Sequence, residues 1–277
     1  MASPLLVVDT PWLLYRSFFA LPAKKIRDAQ DRPANALLGS LQALLNAIEQ
    51  LQPRAVVCCF GAEEAEYRAA LYPPYHAHRD PMPAELREQW ERAPDLLRAF
   101  AWTLLEHPTL EADDVMHSLA LVEQSDTLLM TADRDLYQSV TRQARVLHLG
   151  PRGAPLVIGE REVRARSGVR PRQIPDLIAL RGDPSDGIPG AKGIGAKGAA
   201  ALLEEHGDLE GVLAAKRLRP RIAGVLAEQA EELRMFKQLA TLREIAVASP
   251  ADQPTDTSAG AAAVRELGLK RLAERLG

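Results

Sequence analysis

Five carboxylates stand on two short segments between residues 110 and 135: Glu111, Asp113 and Asp114, then Asp133 and Asp135. Carboxylates gathered in one place repel each other and are protonated or pushed apart unless a cation holds them, and hard divalent cations prefer oxygen ligands. The chemistry implied is metal-assisted. Asp9, at the end of the apolar run 5–8, is a further candidate, although an Asp there also suits a helix cap. Asp183 and Asp186 lie in a turn-rich stretch whose composition alone would account for them, yet they would add two more ligands if that stretch folded back. No Ser, His and Asp or Cys and His constellation competes.

Elements must bring these residues together. Glu111, Asp113 and Asp114 open a periodic apolar run, Val115, Leu119 and Val122, so they fall on the first turn of a helix, where negative charge is tolerated. Residues 128–130 read as a short strand, with Asp133 and Asp135 at its carboxyl end, where open parallel α/β sheets place ligands. Strands over 5–8 and 55–60, the second closed by Gly61, flank helices over 12–19 and 35–51, the opening of a parallel α/β sheet. Short strands at 146–149 and 155–158 bracket Arg152 and Gly153. From 63 to 107, Tyr67, Tyr72, Tyr75, His76, His78, Arg79, Arg87, Trp90, Arg92 and Arg98 interleave aromatic and cationic groups among prolines. Such an insertion is suited to stacking on bases and neutralising phosphates.

Beyond Gly159 strand signals vanish. Helices are expected over 160–166, a short basic one, then 176–181, 196–206, 209–215 and 222–246, followed by a mobile polar linker over 249–260 and a terminal helix over 261–276. Gly193, Gly195 and Gly198 match G-x-G-x-x-G, but no strand precedes them, so the dinucleotide fingerprint fails its context. What remains is a tight glycine hairpin between helices, with Lys192 and Lys197 beside backbone N–H groups at a helix N-terminus, a site for a phosphodiester that reads no base sequence.

The chain has 277 residues, 47% of them hydrophobic, enough for one large domain or a main domain with an appendage. A net charge of -3 gives no polycationic signature. The two cysteines, Cys58 and Cys59, are adjacent on a strand and point to opposite faces, so no disulfide is expected and a reducing, cytoplasmic location is. No apolar run reaches the roughly 20 residues that a membrane span needs.

The motifs VVDTPWLLYRSFFALP, YPPYHAHRDPMPAELREQ, LEADDV, TADRDLYQSV and LIALRGDPSDGIPGAKGIGAKGAAALL resemble those of the bacterial 5'-nuclease or flap endonuclease family, similar to the 5'-3' exonuclease domain of DNA polymerase I. The resemblance implies a PIN-like α/β domain over residues 1–158 with a parallel-type central sheet and a helical arch over about 63–107. A helix-hairpin-helix DNA-binding domain over 159–250 and a linker with a C-terminal helix over 251–277 would follow. It implies two divalent cations, Mg or Mn, one served by Asp9, Glu111, Asp113 and Asp114 and the other by Asp133, Asp135, Asp183 and Asp186. Arg16 and Arg79 would hold the scissile phosphate. Tyr75, Lys192, Gly193, Ile194, Gly195 and Lys197 would contact DNA, with a monovalent cation such as K at the hairpin. The implied substrate is DNA with a 5' flap or 5' end, cut by a monomer whose polymerase and ligase act in trans.

Two departures stand out. Gly61 occupies a position where the family has Asp, a vacated ligand position, and His76 replaces the lysine expected at the reacting phosphate. A third change puts Thr10, Pro11 and Trp12 after the first strand. An imidazole, with a reference pKa near 6.5, supplies less positive charge than lysine at neutral pH. The expectation is an active but weakened or metal-demanding nuclease, with Gly61→Asp raising metal affinity; the alternative is a catalytically impaired structure-specific DNA-binding protein.

Overall fold

The computed structural model describes residues 3–150 and 153–277, so Arg152 lies outside the described residues. Six strands form one sheet in the order β3-β2-β1-β4-β5-β6. They are β1 (Leu5–Asp9), β2 (Ala55–Gly61), β3 (Thr103–His107), β4 (Thr127–Met130), β5 (Ala144–Leu149) and β6 (Pro155–Ile158). The first five run parallel and β6 closes one edge antiparallel. β3 is a strand within 63–107 that the sequence pattern did not reveal, because its side chains are mostly only half buried and show no clean alternation.

Both faces of the sheet are covered, which is why β1, β2 and β4 read as unbroken apolar runs. One face, with Leu6, Val8, Val56, Cys58 and Phe60, packs under α1 (Thr10–Ala20), α2 (Asn35–Leu51) and α4 (Ala84–Arg98). The short α3 (Glu66–Leu71) precedes α4. The other face, with Leu5, Val7, Val57 and Cys59, packs under α5 (Ala112–Val122). Cys58 and Cys59 are free and buried on opposite faces, as expected.

The remaining helices are α6 (Glu160–Ser167), α7 (Ile174–Arg181), α8 (Ala196–His206), α9 (Leu209–Leu213), α10 (Pro220–Glu228) and α11 (Ala230–Ala240). They share the second core: Val163, Leu177, Leu203, Val212 and Phe236 are continuous with the sheet residues. α11 ends at Ala240 rather than 246, and the segment beyond it is extended and anchored, not mobile. The Arg243 and Ile245 backbone amides donate to Asp114 and Ser118 at 2.7 and 3.0 Å. Arg54 binds the Pro250 carbonyl at 2.8 Å and Glu123 at 2.6 Å. Two terminal helices, α12 (Thr257–Glu266) and α13 (Lys270–Leu276), then bury Val264, Leu269 and Leu272 in the first core.

The aromatic and cationic residues of 63–107 are mostly committed internally. Trp90 meets Phe60 edge-on at 5.8 Å, Tyr72 meets Phe236 at 5.6 Å, and Arg92 binds the buried Asp28 at 2.5 Å. The expected free nucleic-acid surface is therefore much smaller than the composition suggested. No helix among the described residues is long and apolar enough to cross a membrane.

Candidate metal centre and cleft

In the strand order 3-2-1-4-5 the connections run outward in opposite directions from β1 and β4, so a crevice opens at their carboxyl ends. Asp9 ends β1 there. Its Oδ1 accepts from the Trp12 backbone N–H at 3.0 Å, capping α1, while Oδ2 accepts from the Thr131 hydroxyl at 2.7 Å across the switch. Cap and site residue are the same carboxylate. Burial pushes it up to about 6 despite these two donors, with Asp113 adding to the rise.

Past β4, Thr131 Oγ accepts from the Asp133 amide at 3.0 Å, and Asp133 Oδ1 accepts from the Asp135 amide at 2.8 Å. These turns fix the Asp133 side chain and the backbone of Asp135 at the crevice. Desolvation, then Asp113, Asp9 and Asp186, push Asp133 up to about 7, and Asp135 is raised well above its ordinary value by burial and by Asp133. The third wall is the loop after α7. Asp183 and Ile188 exchange backbone hydrogen bonds at 2.7 and 2.8 Å, closing a turn that carries Asp186. Asp9, Asp133, Asp135, Asp183 and Asp186 thus line one cleft of about 570 Å³.

Beside it, Glu111 at the N-cap of α5 and Asp113 and Asp114 on its first turn have oxygens within 4.8 Å of one another. Arg68, only 2% exposed, reaches into this triad. It donates to Glu111, to Asp114 at 3.0 Å and to the Leu239 carbonyl at 3.1 Å, and lies 3.7 Å from Asp113. The Tyr75 hydroxyl donates to Glu111 at 3.1 Å. Burial and Asp113 still push Glu111 up to about 8 and Asp114 to about 6, and Asp114 Oδ2 is buried without a partner. One guanidinium against three carboxylates leaves negative charge uncompensated, so an all-oxygen donor set with an orphaned acceptor fits a hard divalent cation.

His76 joins the two groups. Its Nε2 lies 3.0 Å from Asp186 and its Nδ1 3.6 Å from Glu111, in a backbone of φ 53°. Burial holds it below its ordinary pKa, so it is neutral, consistent with the reduced positive charge expected there. Arg79 Nη2 donates to Asp186 at 3.1 Å from the cleft rim. Arg16 is exposed and meets the cleft only through Trp12, with its guanidinium 6.0 Å from that ring.

Three sequence expectations change. Tyr75 is 4% exposed, stacked on His76 at 3.7 Å and spent on Glu111, so it offers no open surface. Ile194 is 6% exposed and belongs to the core; the exposed hairpin residues are Lys192, Gly193, Gly195 and Lys197, and a Cβ at Gly195 would meet nothing within 4 Å. At Gly61 a Cβ would collide with the Leu110 carbonyl and lie 2.6 Å from the Ala112 nitrogen. That position is filled by the turn that presents Glu111, not vacated. Arg68 and Thr131 were missed altogether: in sequence Arg68 is one more helix charge, and only its burial opposite surplus acid reveals its part.

Two family descriptions match the chain: the N-terminal resolvase-like domain of 5'-3' exonucleases over residues 4–168, and their C-terminal SAM fold over 169–258. A 5'-3' exonuclease of Mycobacterium tuberculosis is 36% identical over 237 residues, covering 78% of this chain and 74% of that protein. DNA polymerase I of Chloroflexus aurantiacus is 38% identical over 251 residues, covering 87% of this chain but 26% of the polymerase, so the chain spans about a quarter of that relative's length. In fold, it superposes on a complex of the flap endonuclease of bacteriophage T5 with DNA and metal ions at a TM-score of 0.72, with 18% identity and 99% and 97% of the two chains covered. Flap endonuclease-1 of Methanococcus jannaschii gives 0.64, with 15% identity and 99% and 90% covered.

Proposed function

Since the chain belongs to the 5'-3' exonuclease family, we propose that it is a metal-dependent 5'-nuclease hydrolysing phosphodiesters at 5' flaps and 5' ends of DNA. The observation that carries this reading is the meeting of eight carboxylates from four chain segments at the carboxyl edge of one sheet. Asp9, Glu111, Asp113 and Asp114 would hold one divalent cation, and Asp133, Asp135, Asp183 and Asp186 a second. Bound there, Mg or Mn would supply an acidified water and charge stabilisation for the attacking and leaving oxygens.

The chain's own residues do the rest. Arg79, at the cleft rim, takes the scissile phosphate, exchanging its bond to Asp186 for one to the substrate. Arg16 serves the strand approaching past Trp12. His76, being neutral and 3.0 Å from Asp186, orients that carboxylate instead of adding charge to the phosphate. Lys192, Lys197 and the open backbone at Gly193 and Gly195 hold the duplex, with K as the proposed monovalent ion at the hairpin.

The test is a cleavage panel of 5'-flap DNA, blunt duplex, single-stranded DNA and RNA with Mg²⁺, Mn²⁺ or EDTA. Cleavage of flap DNA that requires a divalent cation, with short 5'-phosphorylated products, is expected. Tight flap binding without cleavage at any metal concentration would instead mark a structure-specific DNA-binding protein.

A further inference from the structure

A second cavity, of about 180 Å³, opens next to the cleft between the turn after β4, the end of α6 and α7. Arg134, Asp135 and Arg181 line both spaces, so the cavity continues the cleft on the side of the second carboxylate group, away from Arg79. Its rim carries three guanidinium groups: Arg134, Arg166 and Arg181. Arg181 is engaged with Asp183 at 3.4 Å, whereas no ion pair to Arg134 or Arg166 is found among the described residues. Behind the rim lie Leu177 and the ring of Tyr137, both buried. His148, stacked at 5.7 Å on Tyr137, is held below its ordinary pKa by burial and then by the positive charges of Arg166 and Arg134, so both guanidinium groups act on the same small volume.

Asp135 is the one carboxylate lining the cavity and the proposed second cation claims it, so Arg134 and Arg166 repel each other and an anion between them relieves the repulsion. The apolar backing suits a sugar face more than a free ion. We propose that this cavity is a binding subsite for one sugar-phosphate unit of the DNA strand, next to the unit being cut, with Arg134 and Arg166 as its phosphate ligands. The inference rests on the nuclease reading and adds to it a fixed phosphate position away from both the arch and the glycine hairpin. It also gives a role to the basic helix α6, which neither the metal centre nor the hairpin explains.

The experiment is equilibrium binding of a fluorescent 5'-flap oligonucleotide in EDTA, where nothing is cut, from about 50 to 200 mM salt, to wild type, Arg134→Ala/Arg166→Ala and Arg166→Lys. Loss of one phosphate contact lowers the salt slope by about 0.7 to 0.9 and weakens binding on the order of tenfold. The lysine variant should retain the slope, since it keeps the charge. A methylphosphonate scan, removing one phosphate charge at a time, should find a single position whose penalty is present in wild type and absent in the double variant. Flap binding by wild type with the same affinity and slope in the double variant would overturn the subsite and leave the nuclease reading intact. If wild type binds no flap DNA, the nuclease reading fails and the subsite with it. Both arginines are exposed, so unchanged melting curves are expected for all variants.

Discussion

Without its guanidinium, Arg68 would leave Glu111, Asp113 and Asp114 packed together with no cation. Breaking a buried pair by deleting one partner costs about 3–5 kcal/mol, because the other charge remains buried and alone. Arg68→Met is therefore expected to lose about that much stability in urea unfolding with EDTA, to regain part of it in Mg²⁺, and to lose more than Arg68→Lys. The carboxylates give a pH dependence whose sign follows from their raised values. Asp9 and Asp114 at about 6 and Glu111 at about 8 hold protons more tightly folded than unfolded. Their contribution is intact while they are protonated and is lost as pH rises from about 4 through these values. The metal-free protein should melt lower at pH 8 than at pH 5.5, and Mg²⁺ should narrow the gap; equal melting temperatures in EDTA would contradict the crowded-carboxylate picture. At position 61 the backbone of residues 110–112 blocks any Cβ. Gly61→Asp should cost about 1–3 kcal/mol by overpacking and bring no gain in metal affinity on titration.

Among the elements, the extended segment after α11 crosses the edge of α5, where Arg243 reaches Asp114, and continues to Arg54 and the first core. Leu242, Ile245 and Val247 pack on the second core, whereas 249–256 is polar and resembles a linker; backbone amides and carbonyls make many of its bonds, and these carry no sequence signature. Arg54→Ala removes the bonds to Pro250, Glu123 and Asp252 together. A loss of about 3 kcal/mol is expected, with protease cleavage over 249–256 slow in wild type and fast in the variant. Equal cleavage rates would mean the segment is not held by Arg54.

Across the whole molecule, the glycine hairpin and the carboxylate cleft lie on one continuous body, because α7 to α11 share the core under the sheet. A duplex on the hairpin would thus be registered against the cleft by a rigid connection. Lys192→Ala/Lys197→Ala should weaken binding of duplex and flap DNA alike and reduce the salt slope by about one to two contacts, measured by anisotropy over a salt series. A change confined to flap DNA would place these lysines on the single strand instead.

By itself the sequence determined the strand and helix alternation around the site, the eight carboxylates and the glycine hairpin. Apolar periodicity and turn chemistry are local, and Asp residues at strand ends are visible in one dimension. Only the tertiary structure decided which cations and carboxylates meet. Arg68 becomes a counterion because α3 folds over α5, and Gly61 is filled because β2 ends against the turn before α5. Tyr75 and Ile194 turn inward because burial, not residue type, sets exposure. These outcomes depend on pairs of residues far apart in the chain, whose charge and packing energies exist only once the sheet has closed.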